Sequence, residues 1–365
     1  MEKIKFINNK TDDKDFAMAL RRNVNEYFKI NQISTNANAA MVFKTIILIS
    51  IYVVPFIVLV TTPVSLFMAL ILVIVMGIGI AGVGMGVMHD ACHGSYSKKQ
   101  WVNNLLSGTI YLLGSNIVNW KIQHNVLHHT YTNIAGYDED IDEKGPIRLS
   151  ENTPLKWYHR YQFMYAFIFY GMMTLVLLFN DFMRLLTYSK KGLLVSQNLK
   201  IRAEFIKMFL RKVAYLLVVI GLPLLVTDFA WYQLLVGFII MHWVASIILS
   251  FVFQMAHVVE GADQPTPEHE IKNNWYVHQI NTTSDFARNN KILGWYVGGL
   301  NFQIEHHLFP NICHIHYSKI APIVEKTAKD FGIKYNLKST FIQALASHIA
   351  TLKELGIHSK LNHAN

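Results

Sequence analysis

The chain has 365 residues, of which 52% are hydrophobic and only 16% are charged, and its mean hydropathy is +0.26. A composition this apolar excludes an ordinary soluble enzyme, and several apolar runs exceed about 18 residues, the length that crosses a bilayer. The net charge of +9 comes from basic residues scattered beside these runs, which suits an anionic membrane surface, so we expect no nucleic-acid partner. The two cysteines, Cys92 and Cys313, exclude a disulfide scaffold and are expected to be small buried side chains.

The N-terminal part predicts a leader followed by a membrane hairpin. Residues 1–39 are polar and mixed in charge and lack the apolar core of a signal peptide, so they predict a cytoplasmic leader with a short amphipathic helix near Asp15–Phe28. Residues 40–61 and 64–88 are each long enough to cross the membrane. The Thr-Thr-Pro turn between them predicts that they form one hairpin.

The middle of the chain predicts two interfacial helices and a second hairpin. Residues 105–118 are apolar but too short to span, so an interfacial or re-entrant helix is expected. Residues 213–226 and 231–255 predict the second hairpin. The intervening apolar stretch 163–179 is ambiguous in length, but a full crossing there would put His257 and the third group of histidines opposite the first. We therefore predict that it lies in the interface or dips back.

The distribution of charge predicts the orientation. The short turns at 61–63 and 227–230 contain no Lys or Arg, whereas the leader, the histidine-bearing loops and the tail contain almost all of them. By the positive-inside rule, both termini and all histidine groups are expected in the cytoplasm. The predicted fold is all-α and integral to the membrane, with four transmembrane helices in two hairpins and a cytoplasmic helical cap. Residues 40–321 form the membrane domain, and 322–365 a cytoplasmic helical tail with a disordered end.

Three short groups contain seven of the chain's 17 histidines. Two histidines four residues apart lie on one face of a helix and can chelate a single ion, so each group is half of a metal site. The alternative for the third group alone is a partly buried polar helix end. The groups are His89 and His93; His124, His128 and His129; and Gln303, His306 and His307.

The ligand set indicates the number of metal ions but leaves the metal open. The HExxH pattern of zinc proteases is absent, and so is any Glu-x-x-His pair of the carboxylate di-iron bundles. Imidazole suits iron, copper, nickel and zinc, and seven or more histidines suit two ions better than one. His257 ends the fourth helix as His89 ends the second, so we expect it to be a further ligand. His242 lies about 22 Å deeper on the same helix and is expected to be a hydrogen-bonded packing residue.

The sequences HDACH, HNVLHH and QIEHH, in this order and separated by long apolar segments, resemble the three histidine boxes of the integral-membrane fatty acid desaturases. The resemblance runs from about Ala40 to about Ala321 and includes TNIAGYDEDI after the second box and GGLNFQIEHHLFP around the third. Gln303 in place of a first histidine resembles the front-end desaturases. Many of those carry a fused cytochrome b5 domain, which the leader is expected to be too short to supply.

The resemblance implies a ligand set, with His257 similar to the extra histidine that desaturases have between the second and third boxes. Gln303 is a possible ligand or a partner of bound water. Carboxylates after the second box, and Asp90, are expected either to accept the outer N–H of ligand imidazoles or to lie in a solvated turn. His314 and His316 are outside the family pattern and are expected to support the site or lie at the surface. The expected ligands are His89, His93, His124, His128, His129, His257, His306 and His307, and their expected hydrogen-bonding partners are Asp90, Asn133, Asp138 and Asp140.

The activity implied is oxygen-dependent desaturation of a long fatty acyl chain at a di-iron centre. Unactivated methylenes need an oxidant made from O2 and two electrons, which side chains cannot supply, so two iron ions and a separate ferredoxin or cytochrome b5-type donor with its reductase are expected. The acyl chain is expected to enter a hydrophobic tunnel between the hairpins. A hydroxylase or related oxygenase on the same scaffold is the near alternative, and a membrane metal transporter the distant one. Chain length, bond position and head group, CoA or lipid, stay open.

Overall fold

The computed structural model describes residues 4–7, 11–142, 145–266 and 270–358, and this part of the chain is mostly helical. The expected disordered end of the tail lies outside the described residues. Two pairs of very short parallel strands accompany the helices: β1 (Lys5–Phe6) with β2 (Glu270–Ile271), and β3 (Asp285–Phe286) with β4 (Leu337–Lys338). The helices are α1 (Thr11–Asn31), α2 (Ala39–Thr61), α3 (Leu66–Cys92), α4 (Gln100–Ser107), α5 (Ile117–Trp120, continued by the π-helical Lys121–His128), α6 (Gln162–Tyr170), α7 (Met173–Lys190), α8 (Ile201–Val226), α9 (Trp231–His257), α10 (Trp275–Thr282), α11 (Lys291–Tyr296), α12 (Gln303–Leu308), α13 (Tyr317–Asp330) and α14 (Phe341–Leu355).

Four helices of the described residues, α2, α3, α8 and α9, are long and apolar enough to span a membrane. They are consecutive pairs joined by short turns, which confirms the predicted all-α membrane fold with four candidate spans. The segment α8 begins at Ile201, well before the expected 213. Its first turns are charged, and a search for continuous apolarity therefore missed them. One of these charges is buried: Lys212 Nζ donates to Asp181 Oδ2 at 2.8 Å and to the Gly114 carbonyl at 2.8 Å.

Glycines let α3 approach its neighbours on both sides. A Cβ on Gly79 would meet the backbone of Tyr52 in α2, and one on Gly77 would meet the Met241 carbonyl in α9. Such close backbone approach is how helices pack tightly inside a membrane. The second span is therefore held between the first and the fourth, and its last turns contain His89.

The stretch expected to form one interfacial helix at 163–179 is a bent pair. The helices α6 and α7 meet at 84° around Gly171 and Met172, so they make either a broken span or a re-entrant loop. A Cβ on Gly171 would overlap the indole of Trp243 in α9. The bend is thus packed against the fourth span, and α7 continues as far as Lys190. Similarly, the expected helix at 105–118 is interrupted: α4 ends at Ser107, and the 3-10 segment Gly108–Leu113 follows it.

The remaining helices form a cap over the ends of the spans where the histidines lie. One face of α1, with Phe16, Leu20 and Val24, packs into the same hydrophobic cluster as α10, α12 and α13. The C-terminal helix α14 packs on α6 of the bent pair, where His348 Nε2 hydrogen-bonds the Tyr170 hydroxyl at 2.9 Å. The expected boundary at 321 falls inside α13.

Candidate metal centre

In the structure the histidines form two spatial groups that combine residues of different boxes, and the first of these groups converges from three separate helices. His89 ends the second span, His124 comes from α5, and His306 comes from α12. Together with His93 they can each offer one ring nitrogen such that all four atoms lie within 4.8 Å of one another. Helical spacing within each sequence group therefore brings its histidines to one face, and the fold brings the faces together.

A second group lies beside the first. His128, His257 and His307 can likewise offer ring nitrogens within 4.8 Å of one another. His257 and His128 come within 4.7 Å between ring centroids. His257 is the last residue of α9, so the two spans that end at this face, α3 and α9, each contribute a histidine to a different group.

His129 lies between the two groups. Its Nε2 is 3.2 Å from His124 Nε2 and 3.0 Å from His306 Nε2, while its ring stacks on His307 at 4.5 Å. A metal–imidazole bond of about 2.1 Å places adjacent ligand nitrogens about 3 Å apart. The observed separations are therefore those expected around a metal ion.

The outer nitrogens of several rings are held by hydrogen bonds, which turns the other nitrogen inward. His128 Nδ1 contacts Asp138 Oδ2 at 2.9 Å, and His307 Nδ1 contacts Gln279 Oε1 at 2.8 Å. Within the part of the chain that the structure describes, the buried Nε2 atoms of His257 and His307 have no hydrogen-bond partner, and neither has that of His93. A buried polar atom without a partner costs free energy, and a bound cation would satisfy these three.

The protonation of the rings also suits a cation. Burial holds most of them neutral, with their lone pairs available. His128 differs: burial disfavours its charge, but Asp138 outweighs burial and raises the pKa of His128 to about 9. A metal ion would take the place of that proton, so binding at His128 releases it. The rings whose pKa burial lowers well below the usual value are His93, His124, His129, His306 and His307.

Comparison with known proteins identifies this arrangement. The sequence matches the fatty acid desaturase family over residues 63–339. The chain belongs to the fatty acid desaturases. It is 37% identical over 353 residues to the sn-1 linoleoyl-lipid 6-desaturase of Arthrospira platensis, covering 94% of this chain and 93% of the relative. It is 35% identical over 350 residues to the acyl-lipid (8-3)-desaturase of Physcomitrium patens, covering 95% and 72%. Its identity to the sn-1 linoleoyl-lipid 6-desaturase of Synechocystis sp. is 32% over 361 residues, covering 97% and 98%.

Membership in this family makes the chain an oxidoreductase of lipid metabolism, with fatty acyl chains as substrates. A cavity of about 700 Å³ reaches the first group of histidines, and His89 and His124 form part of its wall. Its other walls come from the 3-10 segment Gly108–Leu113, from α7 and from α9. This cavity runs along the bent pair, where Met173 and Leu177 supply apolar wall and Arg184 and Lys191 a charged end.

The structure corrects the expected role of Asp90 in this desaturase. Its carboxylate contacts no imidazole of the three boxes among the described residues. Asp90 Oδ2 instead accepts from His314 Nδ1 at 2.8 Å and from Cys313 Sγ at 3.0 Å. His314 Nε2 in turn contacts Lys44 Nζ at 2.7 Å. This buried chain fastens the helix of the first box to the segment after the third.

The other expected partners of the ligands divide between two roles. Asp138 accepts from His128 directly, and Asp140 Oδ2 lies 3.4 Å from the same nitrogen. Among the described residues Asn133 hydrogen-bonds no imidazole, and its side chain donates to the carbonyl of His257 at 2.9 Å and to that of Thr282. It therefore holds the backbone at the end of α9. Gln303 is buried, and its amide nitrogen has no partner among the described residues.

Sequence reasoning missed several residues that touch the histidines, among them Gln279 and Tyr317. Gln279 accepts from His307, and the Tyr317 hydroxyl lies 3.3 Å from His306 Nδ1. Both lie outside the three boxes, and no histidine spacing points to them. His242 is hydrogen-bonded as expected, with Thr174 Oγ1 at 2.8 Å and the Tyr215 hydroxyl at 2.7 Å.

Proposed function

We propose that this desaturase introduces a double bond into a long acyl chain of a glycerolipid, in an oxygen-dependent reaction at a di-iron centre. Relatives that align with nearly the whole chain are named for lipid-linked acyl substrates, and two of them for position 6 of a linoleoyl lipid. Linoleoyl chains already contain double bonds further from the ester. We therefore propose that the new bond forms on the carboxyl side of existing ones.

The observation that carries this proposal is the position of the histidines along the cavity. The helix α7 lines the cavity over about 27 Å, from Met173 at its apolar end to Lys191 at its charged end. Asp140, also in the wall, lies only 3.4 Å from His128. The charged end, which suits a lipid head group, is thus close to the metal site. A head group held there leaves only a few carbons between the ester and the reacting carbons, while the methyl end extends along apolar wall.

We assign His89, His93, His124 and His306 to one iron and His128, His257 and His307 to the other, with His129 between them and Gln303 as a candidate partner of bound water. Bound iron would supply the activation of O2. Two electrons and two protons enter with O2, two hydrogens leave the acyl chain, a C=C bond forms, and two water molecules are released.

The protein's own side chains orient the ligands and exclude water. Asp138 and Gln279 fix the rings of His128 and His307 with Nε2 inward, and Tyr317 lies against the outer nitrogen of His306. The indole of Trp120 stacks on His124 with centroids 4.5 Å apart. This indole also lines the cavity, so the acyl chain would meet an apolar surface beside the ligands.

We further propose that the histidines and both termini face the cytoplasm, with a ferredoxin or cytochrome b5-type protein, reduced by its own reductase, as electron donor. The orientation rests on the turns at 61–63 and 227–230, which lack Lys and Arg.

The test is expression in a host whose lipids contain linoleoyl chains but no further desaturated product, followed by mass spectrometry of intact lipids and of their fatty acids. The proposal expects a triene with its new bond between the carboxyl group and the existing bonds. His124→Ala should give no product at equal membrane level. A hydroxylated or acetylenic product would show that the protein is a related oxygenase and not a desaturase. Metal flux into vesicles without any lipid product would indicate a transporter.

A further inference from the structure

The proposed reaction needs two electrons from outside, and the cap separates the histidines from water. The cap is closed by one hydrophobic cluster that includes Leu20 and Val24 of α1, Ile304 and Leu308 of α12, and Val324 of α13. Asn23 of α1 also donates to Thr327 of α13 at 3.0 Å. The outer faces of α1 and α13 are therefore neighbouring parts of one aqueous surface over the metal centre.

This surface is basic. Lys319, Lys326 and Lys329 are exposed on α13 at positions i, i+7 and i+10, which fall on one side of the helix, opposite its buried residues. On α1, Arg22 and Lys29 are exposed seven residues apart and also share a side. We call these five residues the basic face. Among the described exposed side chains of these two helices, seven are basic and three, Asp15, Glu26 and Asp330, are acidic, so positive charge is in excess.

The basic face is connected to the histidines by short contacts. The helix α13 begins at Tyr317, whose hydroxyl lies 3.3 Å from His306 Nδ1. Nearby, the half-buried Trp275 of α10 donates its indole N–H to the carbonyl of His129 at 3.1 Å. Trp275 contacts Tyr276, whose ring lies 4.8 Å from the guanidinium of Arg21 on α1. Two aromatic side chains thus reach from the cap to His306 of the first group and to His129, which lies between the two groups.

We propose that the basic face is the docking surface for the electron donor, an acidic one-electron carrier protein, and that electrons enter beside Tyr317 and Trp275. The inference rests on the proposed function and deepens it by naming where the donor binds and the charge it has. Each docking oxidises one reduced carrier and delivers one electron, so two dockings serve one turnover, and the two protons come from water. Opposite charges at such a surface mainly raise the rate of association and make it depend on salt.

The experiment uses the full chain, loaded with iron, in nanodiscs of phosphatidylcholine that contains linoleoyl chains. This lipid has no net charge. Product formation is measured with two reductants: an acidic [2Fe–2S] ferredoxin with its reductase, and dithionite with a small mediator. The double variant Lys326→Glu/Lys329→Glu should raise the KM for ferredoxin by about ten-fold or more and weaken its salt dependence. Its rate with dithionite should equal that of the wild type.

Two matched variants complete the test. Lys326→Arg/Lys329→Arg keeps the charge and should behave as the wild type. Lys200→Glu/Arg202→Glu reverses two exposed charges at the start of α8, a helix that contributes no residue to the hydrophobic cluster of the cap, and should leave the KM for ferredoxin unchanged.

An unchanged KM for ferredoxin in the α13 variant, or an equal rise in the α8 variant, would overturn the docking proposal. An effect that appears only in vesicles containing anionic lipid would also overturn it, because the face would then bind membrane. Absence of product with either reductant in the wild type would instead refute the proposed function itself.

Discussion

At the scale of single residues, a hydrogen bond to the outer nitrogen of a histidine ring fixes the orientation of the ring and leaves its inner nitrogen available to a metal ion. Asp138 and Gln279 hold His128 and His307 by Nδ1, and the carbonyl of Thr282 lies 3.4 Å from His257 Nδ1. Each ring therefore presents Nε2 to the interior, where metal ligands are needed. A fixed tautomer and ring orientation at a metal ligand commonly accounts for a ten- to hundred-fold difference in affinity or activity.

His257 belongs to no sequence box, and its role as a ligand is therefore the sharpest residue-scale prediction. His257→Ala should lose desaturation and part of the bound iron, while inserting and folding normally, because its inward Nε2 has no other described partner. Iron per chain measured by mass spectrometry, with product analysis, checks this. His242→Ala on the same helix is the control and should keep two irons per chain. Full iron and normal product in His257→Ala would refute the assignment.

Glu305 directly precedes His306 and His307 of the third box, but its side chain faces Asp285. The Tyr335 hydroxyl, which has one proton to donate, lies 2.8 Å from Glu305 Oε1 and 2.5 Å from Asp285 Oδ2. Burial, and then the charge of Asp285, raise the pKa of Glu305 well above its usual value. This direction favours the neutral, protonated carboxyl over the carboxylate at Glu305.

This protonation predicts how stability depends on pH. A raised folded-state pKa gives stability that is present at low pH and lost as pH rises through that pKa. Glu305→Gln should match the wild type in thermal unfolding at pH 4, below the ordinary pKa of 4.5 that the carboxyl has in the unfolded chain, and lose less stability as the pH rises from there. Glu305→Ala should be less stable by about 1–3 kcal/mol at pH 4, because the Tyr335 hydroxyl loses a hydrogen-bond partner. Wild-type and Gln variants with the same pH profile would contradict the protonated carboxyl.

At the scale of elements, the bend between α6 and α7 lets this pair both pack on α9 and line the cavity, which a straight span could not do. The bend packs on α9, and α7 then runs along the cavity from its apolar to its charged end. The polar cluster of Thr174, Ser246 and His242 supports this turn, since Ser246 Oγ accepts from the Thr174 amide at 3.0 Å near the start of α7. An amide that begins a helix has no partner within that helix, and inside a membrane it needs a side chain.

Gly171 is the residue on which the bend depends. Gly171→Ala would place a methyl group against the indole of Trp243, and overpacking of this kind costs about 1–3 kcal/mol and moves the helices. We expect at least several-fold lower product with iron near two per chain, because no ligand lies on α6 or α7. Gly237→Ala is the matched control on α9, where the nearest atom to the new Cβ is Val73 Cγ1 at 3.5 Å. Equal product in both variants would show that the bend tolerates the methyl group.

The sequence predicted the elements whose pattern is local and missed those set by tertiary contacts. The apolar runs of α2, α3 and α9 and the i, i+4 histidine spacing can be recognised from the sequence alone. The charged start of α8 cannot, because Lys212 is accommodated by Asp181 and by carbonyls from a distant segment. The same holds for Asp90, whose partner His314 is far away in the sequence, and for Gln279, which is near no histidine box.

At the scale of the whole molecule, the four candidate spans place both turns on one side and all histidine groups on the other. Reporter fusions after residues 62, 228 and 320 test this arrangement. We expect the first two outside and the third in the cytoplasm, because the turns lack Lys and Arg. A cytoplasmic signal at 228 would mean that the bent pair crosses the membrane fully.

The two groups of histidines come from helices throughout the chain, and together they make the case for two metal ions in one buried centre. The most direct measurement is the metal content of purified protein that is active on linoleoyl lipid, by inductively coupled plasma mass spectrometry against protein concentration. We expect two iron ions per chain, with the iron content falling in proportion to activity in His306→Ala and His307→Ala. Active protein with a single iron per chain, or with zinc in place of iron, would contradict it.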